Sequence, residues 1–244
     1  YMINAGISTG IMLSFAENYP DAFPDNSLYI PESGNNMPDI LDELKYEIDW
    51  MLSMQDSDGG AFVKVSTLNF CGMVMPHEAP KDRWVIGKST SAALHLAAIG
   101  AMASRIYGPF LPEYGQKCLT AANQAWEWAE KNPAVYYAKN PEDVKTGAYN
   151  DTDLNEEFFW AASELYATTK KEVFYNSIKP KLGNFTFRLE ENWRNYNDNI
   201  GYYSLVNQKS PLPENDKEII ENRIIQVADS LANIQKSNPY QIPV

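Results

Sequence analysis

Apolar residues at helical spacing recur along almost the whole chain, leaving little sequence from which a sheet could be built. Residues 1–18, 37–55, 88–107, 112–132, 155–169, 171–178, a short piece after Gly201 and 213–236 read as helices. In the second of these, Ile40, Leu44, Ile48 and Met51 form one apolar stripe that Leu41 and Leu52 broaden, with charged residues mostly opposite. Only "AFVKVSTLNF", residues 61–70, alternates well enough for a hairpin arm, and it follows the turn "DSDGG". No fixed-period repeat, low-complexity tract or Gly/Ser linker interrupts the pattern. The whole span 1–244 therefore reads as one all-α domain.

Charge narrows the choice of partner. With a net charge of −12 and only 20 basic residues, most of the surface repels a nucleic-acid backbone or an anionic membrane, so neither is expected as a partner. The longest apolar run, Ala92 to Ala103, falls well short of the roughly 20 residues that a membrane span needs. Cys71 and Cys118 are too few for a disulfide framework and lack metal-ligand spacing; both read as core or near-core thiols. The first helical pattern starts at Tyr1 with no cap ahead of it, and "NPYQIPV" stops in a loop, so both ends read as cut from something longer.

The acid-rich stretch "PESGNNMPDILDELKYEIDWML" reads as a helix start. Asn36 is placed as its N-cap, Pro38 tolerates the first turn, and Asp39, Asp42 and Glu43 complement the helix dipole. The connections are more suggestive. Segments 55–88 and 135–157 are long for a compact domain, and loops of that length are usually functional. They mix aromatic rings with amides and carboxylates, a combination that suits sugars, whose C–H faces stack while their rims accept hydrogen bonds. Trp126, Trp128 and Trp160 lie on helix faces and read as core, and His95 reads as a hydrogen-bonded core histidine.

Taken together, "IPESGNNMPDILDELKYEIDWMLSMQDSDGGAFVKVSTLNF", "KSTSAALHLAAIGAMASRIY", "AWEWAEKNP" and "TGAYNDTDLNEEFFWAASELYATT" resemble glycoside hydrolase family 9. The resemblance implies an all-α, partial (α/α)6 barrel lacking its first and last parts, since eight helical segments are visible where the barrel has twelve. It implies a β-1,4-glucan as partner and inverting hydrolysis with one carboxylate as base and one carboxylic acid as proton donor. In the family the base comes from an Asp-Ala-Gly-Asp motif just ahead of the segment matching "YMINAG", and the acid is a glutamate near the barrel's end. Both are expected outside this chain, which by itself is expected to be inactive. A non-catalytic carbohydrate-binding α/α toroid is the alternative reading.

By the same resemblance, Tyr149, Trp193 and Tyr202 (or Tyr203) match regions that approach the substrate, Lys64 and Asn69 belong to the hairpin bordering the groove, and His77 is a candidate for its rim. The run "DTDLNEE" begins like an EF-hand, but Glu156 stands where the invariant glycine belongs and Ala162 where the bidentate glutamate belongs, so that motif is rejected. Family members often hold Ca²⁺ at the loop entering this helix, which makes Asp151, Asp153, Glu156 and Glu157 its candidate ligands. Secretion and a flanking immunoglobulin-like or carbohydrate-binding module are further implications.

Overall fold

A computed structural model describes residues 1–148, 152–186, 197–207 and 209–242. Its helices are α1 (Met2–Asn18), α2 (Asp39–Ser53), α3 (Thr90–Tyr107), α4 (Pro112–Lys131), α5 (Asn155–Thr169), α6 (Glu172–Ile178), α7 (Asn197–Val206) and α8 (Glu214–Ser237). Most follow the sequence periodicity closely. The exception is α7, in which Gly201 is an interior residue rather than the point after which a helix starts.

Helix α3 is the central element. Ser89 caps it by accepting the Ala92 N–H at 3.1 Å, and every residue from Thr90 to Ala103 is buried. So many small side chains let neighbouring helices approach closely. Helices α1, α4 and α5 all pack on α3, while α6 pairs with α5. This inner-and-outer pairing is the partial (α/α)6 barrel.

Two contacts show how close the inner helices come. Gly6 and Gly10 interrupt α1, each costing up to about 1 kcal/mol of helix propensity. A Cβ on Gly6 would lie 2.3 Å from His95 Nδ1, and one on Gly10 would lie 2.6 Å from Trp160 Cζ2. The imidazole meets the Trp160 ring edge-on, with centroids 5.3 Å apart. His95 is fully buried as expected, yet neither ring nitrogen has a hydrogen-bond partner among the described residues. The apolar and glycine surroundings offer none, so the expectation of a hydrogen-bonded histidine is corrected.

At the other end of α3, four helices meet at Arg105. Its guanidinium takes Glu17 of α1 in a fork, Nε and Nη2 each donating at 2.8 Å. It also pairs with Glu164 of α5 at 2.7 Å, and Nη2 donates to Ser204 of α7 at 3.2 Å. Glu164 Oε1 accepts from Trp160 Nε1 at 3.0 Å and from Ser204 Oγ at 2.8 Å. Burial pushes the Glu164 carboxyl up to about 7 against the pull of Arg105, and the two acids hold the guanidinium firmly protonated although its own burial opposes this.

Among the described residues the sheet is a single antiparallel hairpin, β1 (Phe62–Ser66) with β2 (Trp84–Lys88), in the register Lys64↔Ile86. The sequence places the first arm but reads 84–87 as loop and Lys88 as helix, because five residues beside a strong helix carry little periodicity. Lys88 clasps the hairpin to the "DSDGG" turn, with Nζ 2.8 Å from both Asp56 Oδ2 and Asp58 Oδ2.

Two further expectations are corrected. Asn36 is not the N-cap of α2: it adopts a left-handed conformation (φ 65°), and Pro38 precedes the first helical residue. The Asp39 carboxylate instead organises the loop ahead of it, accepting Leu28 N–H at 2.7 Å, Asn26 N–H at 3.0 Å and Ser33 Oγ–H at 3.0 Å. Burial alone would raise its pKa, but these donors win and hold it low. Cys118 is buried, whereas Cys71 is exposed, because the loop beyond Asn69 projects from the hairpin. Trp160, Trp126 and Trp128 are core residues as expected.

Candidate functional site

The two long loops come together on one face. Lys145 N–H donates to Leu68 O at 2.7 Å, Thr90 N–H to Val135 O at 3.0 Å, and Ser66 Oγ–H to Thr146 Oγ1 at 2.9 Å. Tyr137 Oη–H reaches Asn140 Oδ1 at 2.7 Å. Around this seam lie the start of α1 at Tyr1, the hairpin, and the first turns of α3 and α5. The last two meet where Ser91 Oγ–H donates to Glu157 Oε1 at 3.3 Å.

The predicted contact residues divide by exposure. Asn69 and His77 are exposed on the loop beyond β1, with His77 in a single 3-10 turn, Pro76–Glu78. Trp84, one of the aromatic rings of the 55–88 segment, is 42% exposed at the first position of β2, opposite Ser66. Lys64 and Tyr202 point inward instead. Tyr202 is 2% exposed, donates its hydroxyl to Lys181 O at 2.7 Å and packs on Phe159 and Phe185, so it is a core residue and not a contact for a glucan. Its neighbour Tyr203 is 39% exposed, one helical step away. Lys64 is completely buried; its ammonium donates to Asn140 Oδ1 at 2.8 Å, Thr146 Oγ1 at 3.1 Å and Gly147 O at 2.6 Å. Those acceptors leave it no proton for a sugar hydroxyl, which corrects the expectation of direct contact. Tyr149 and Trp193 lie outside the described residues.

The expected metal ligands are similarly divided. Asp153 is exposed, with Oδ1 accepting the Asn155 N–H at 3.2 Å and its side-chain amide at 2.7 Å. Glu157 is buried against Ser91, and Glu156 is half-buried between them in sequence. Lys181 donates to Asn155 O at 3.0 Å; burial lowers its pKa, while Asp153, Asp198 and Glu156 push the other way. A cation already sits among these acids. Among the described residues no three His, Cys, Asp or Glu side chains form a group that could hold a metal, and Asp151 lies outside them.

Chemically, this face offers exposed rings and amides beside a buried ammonium. The hairpin contributes Trp84, and the adjoining loop contributes Asn69, Phe70 and His77. Such a surface can stack and hydrogen-bond a neutral polyhydroxylated chain. The Tyr137–Asn140–Thr146 support of Lys64 escapes sequence reading because its members are ordinary loop residues, joined only when both loops fold together.

The profile of glycosyl hydrolase family 9 matches residues 1–242. A xyloglucan-specific endo-β-1,4-glucanase of Bacteroides ovatus is 36% identical over 257 residues, spanning 100% of this chain and 43% of that protein. Endoglucanase D of Acetivibrio thermocellus is 35% identical over 246 residues, spanning 98% of this chain and 39% of its own length. The solved Bacteroides ovatus GH9 structure superposes with a TM-score of 0.89 at 35% identity, covering 100% of this chain and 46% of that one. The chain thus spans less than half the length of these relatives.

Proposed function

Because the chain belongs to glycosyl hydrolase family 9, we propose that it forms part of the catalytic domain of a secreted, inverting endo-β-1,4-glucanase acting on cellulose or a related β-glucan. The observation that carries this reading is the family match along 1–242. The face built by the two long loops supports it, with Trp84, Asn69 and His77 exposed on the hairpin and its loop; Tyr149, Trp193 and Tyr203 join them on the family resemblance alone.

In the proposed reaction a carboxylate takes a proton from water as the water oxygen bonds to the anomeric carbon. The glycosidic C–O bond breaks on the opposite side, and the leaving oxygen receives its proton from a carboxylic acid. The two carboxyl groups stand about 6.5–9.5 Å apart in such enzymes to leave room for the water. Both come from segments flanking this chain, the base from the residues leading into Tyr1. None of Glu32, Asp39 or Asp42 replaces them. A flanking immunoglobulin-like or carbohydrate-binding module completes the proposed parent protein.

Ca²⁺ belongs to the proposal as a structural ion. Asp151, Asp153, Glu156 and Glu157 offer the hard oxygen donors that Ca²⁺ takes, and the Lys181 ammonium would compete for the same charge. Calorimetry on the parent domain would show heat that weakens in Asp153→Ala and Glu157→Ala. Absence of heat at millimolar Ca²⁺ would remove the ion.

The test of function is reducing-sugar release from carboxymethyl cellulose by the 244-residue chain and by the longer gene product, at matched concentration with folding checked by circular dichroism. Activity is expected from the longer protein alone, since general acid and general base are each worth about 10²–10⁴-fold. Comparable turnover by the short chain would overturn the assignment. Binding without turnover by both would favour the carbohydrate-binding toroid.

A further inference from the structure

Lys64 takes a positive charge into the interior, and among the described residues no anion meets it. Its three ammonium contacts are neutral oxygens, those of Asn140, Thr146 and Gly147. Two aromatic rings stand over it, with the centroids of Tyr1 and Tyr137 at 5.3 and 5.7 Å from Nζ. The other lysine of the hairpin shows what full compensation looks like: Lys88 has two carboxylates at 2.8 Å. Burying an ammonium costs several kcal/mol even after relaxation. An apolar side chain of similar length would avoid that cost, so a role as packing or loop anchor alone does not account for the charge.

We propose that Lys64 is a positioning residue whose buried charge faces the carboxylate that accepts the proton from water, and keeps that carboxylate ionised. The inference rests on the reading that the residues leading into Tyr1 carry this base. Tyr1 opens α1 directly beside the ammonium, so a segment joined to Tyr1 enters next to Nζ. Neutral acceptors aim the ammonium without cancelling its field. Among the described residues the groups around it are Tyr1 at the start of α1, Tyr137, Asn140, Thr146 and Gly147 from the 133–148 loop, and Ser66 of β1 through Thr146. Glu47 of α2 is the carboxylate beside the start of α1, and Lys64 makes no ion pair among the described residues. An opposite charge within about 4–6 Å lowers a carboxylic acid by about 1–3 pH units. That places the base in its working form over a wider acidic range.

The experiment is the pH dependence of kcat/KM on a soluble β-glucan, measured on the full-length enzyme that contains this chain. Its acidic limb reports the base in the free enzyme. In Lys64→Met that limb moves up by about one pH unit or more, while Lys64→Arg leaves it near the wild-type position. Asn140→Asp is the second variant, since it sets a carboxylate where an acceptor already lies 2.8 Å from Nζ. It cancels the charge while keeping the contact, so its acidic limb also moves up. If Lys64 is only a strut, Asn140→Asp gains an ion pair and thermal stability with the limb unmoved, and the proposal falls. It falls equally if folded Lys64→Met loses kcat uniformly across pH. A wild-type enzyme without glucanase activity sinks the functional reading itself, whereas activity with an unmoved limb sinks this inference alone.

Discussion

The two ends of α3 bury polar groups in opposite ways. His95, near the start, is enclosed by Gly6 and the edge of Trp160, with no hydrogen bond among the described residues. Arg105 lies ten residues further along the same helix, about 15 Å away, and is met by Glu17, Glu164, Thr168 and Ser204. One group is tolerated because it can be neutral; the other is fixed because three neighbouring helices supply its partners. Burial therefore predicts the cost of a polar residue only together with what surrounds it.

The comparison breaks most sharply at Arg105. Arg105→Met leaves Glu17 and Glu164 facing each other, and chemical denaturation of the full-length protein should show a loss of about 3–5 kcal/mol. Replacing Glu17 and Glu164 by Leu as well should recover much of that, because an apolar core of similar volume tolerates the loss of a complete charge network. A triple variant as unstable as the single one would mean that Arg105 acts through packing.

At His95 the effect is smaller and depends on pH. Burial lowers its pKa to about 3 from an ordinary 6.5, so the unfolded chain binds the extra proton between those values and stability falls as pH drops below about 6.5. Glu164, raised to about 7, has the opposite sign: its contribution is full below the ordinary carboxylate range and is lost as pH rises through 7. The difference between wild type and His95→Leu cancels the Glu164 contribution. That difference should grow by about 1.4 kcal/mol per pH unit and favour the variant by on the order of 2–3 kcal/mol at pH 4.5. A difference flat between pH 7 and 4.5 would show that His95 has a partner when folded.

The smallest effect is expected far from α3. Only Ile220 of α8 is buried, and Ile225 is 56% exposed. Ile225→Ser should change the stability of the 244-residue chain by less than about 0.5 kcal/mol. The amides of α8 should also exchange with solvent well before those of α3. Slow exchange in α8 would reveal a packing partner.

Much of this arrangement is legible in the sequence wherever the cause is local. The stripe Ile40, Leu44, Ile48 and Met51 and the uncharged run of α3 announce their helices, because periodicity needs only neighbours. The strand at Trp84 and the Arg105 network are not legible. The first is too short to outweigh the adjoining helix, and the second joins residues from α1, α3, α5 and α7 whose encounter depends on how those helices cross. The site follows the same division. Asn69 and His77 are exposed on a segment whose length alone marks it in the sequence. The inward turn of Lys64 is set by Asn140 and Thr146, and no pattern in the strand itself reports it. For Tyr202, a shift of one position along α7 separates a core ring from the exposed Tyr203.

The glycines of α1 also bear on how this protein can change over generations. Gly6 matches the imidazole of His95, and Gly10 matches the indole of Trp160. A larger residue at 6 or 10 has no room until its counterpart shrinks, and a smaller residue at 95 or 160 opens a void until its counterpart grows. Neither member of a pair can drift alone. In a set of related sequences, positions 6 and 95, and likewise 10 and 160, should exchange volume in step, so that two mutations arrive as one inherited unit.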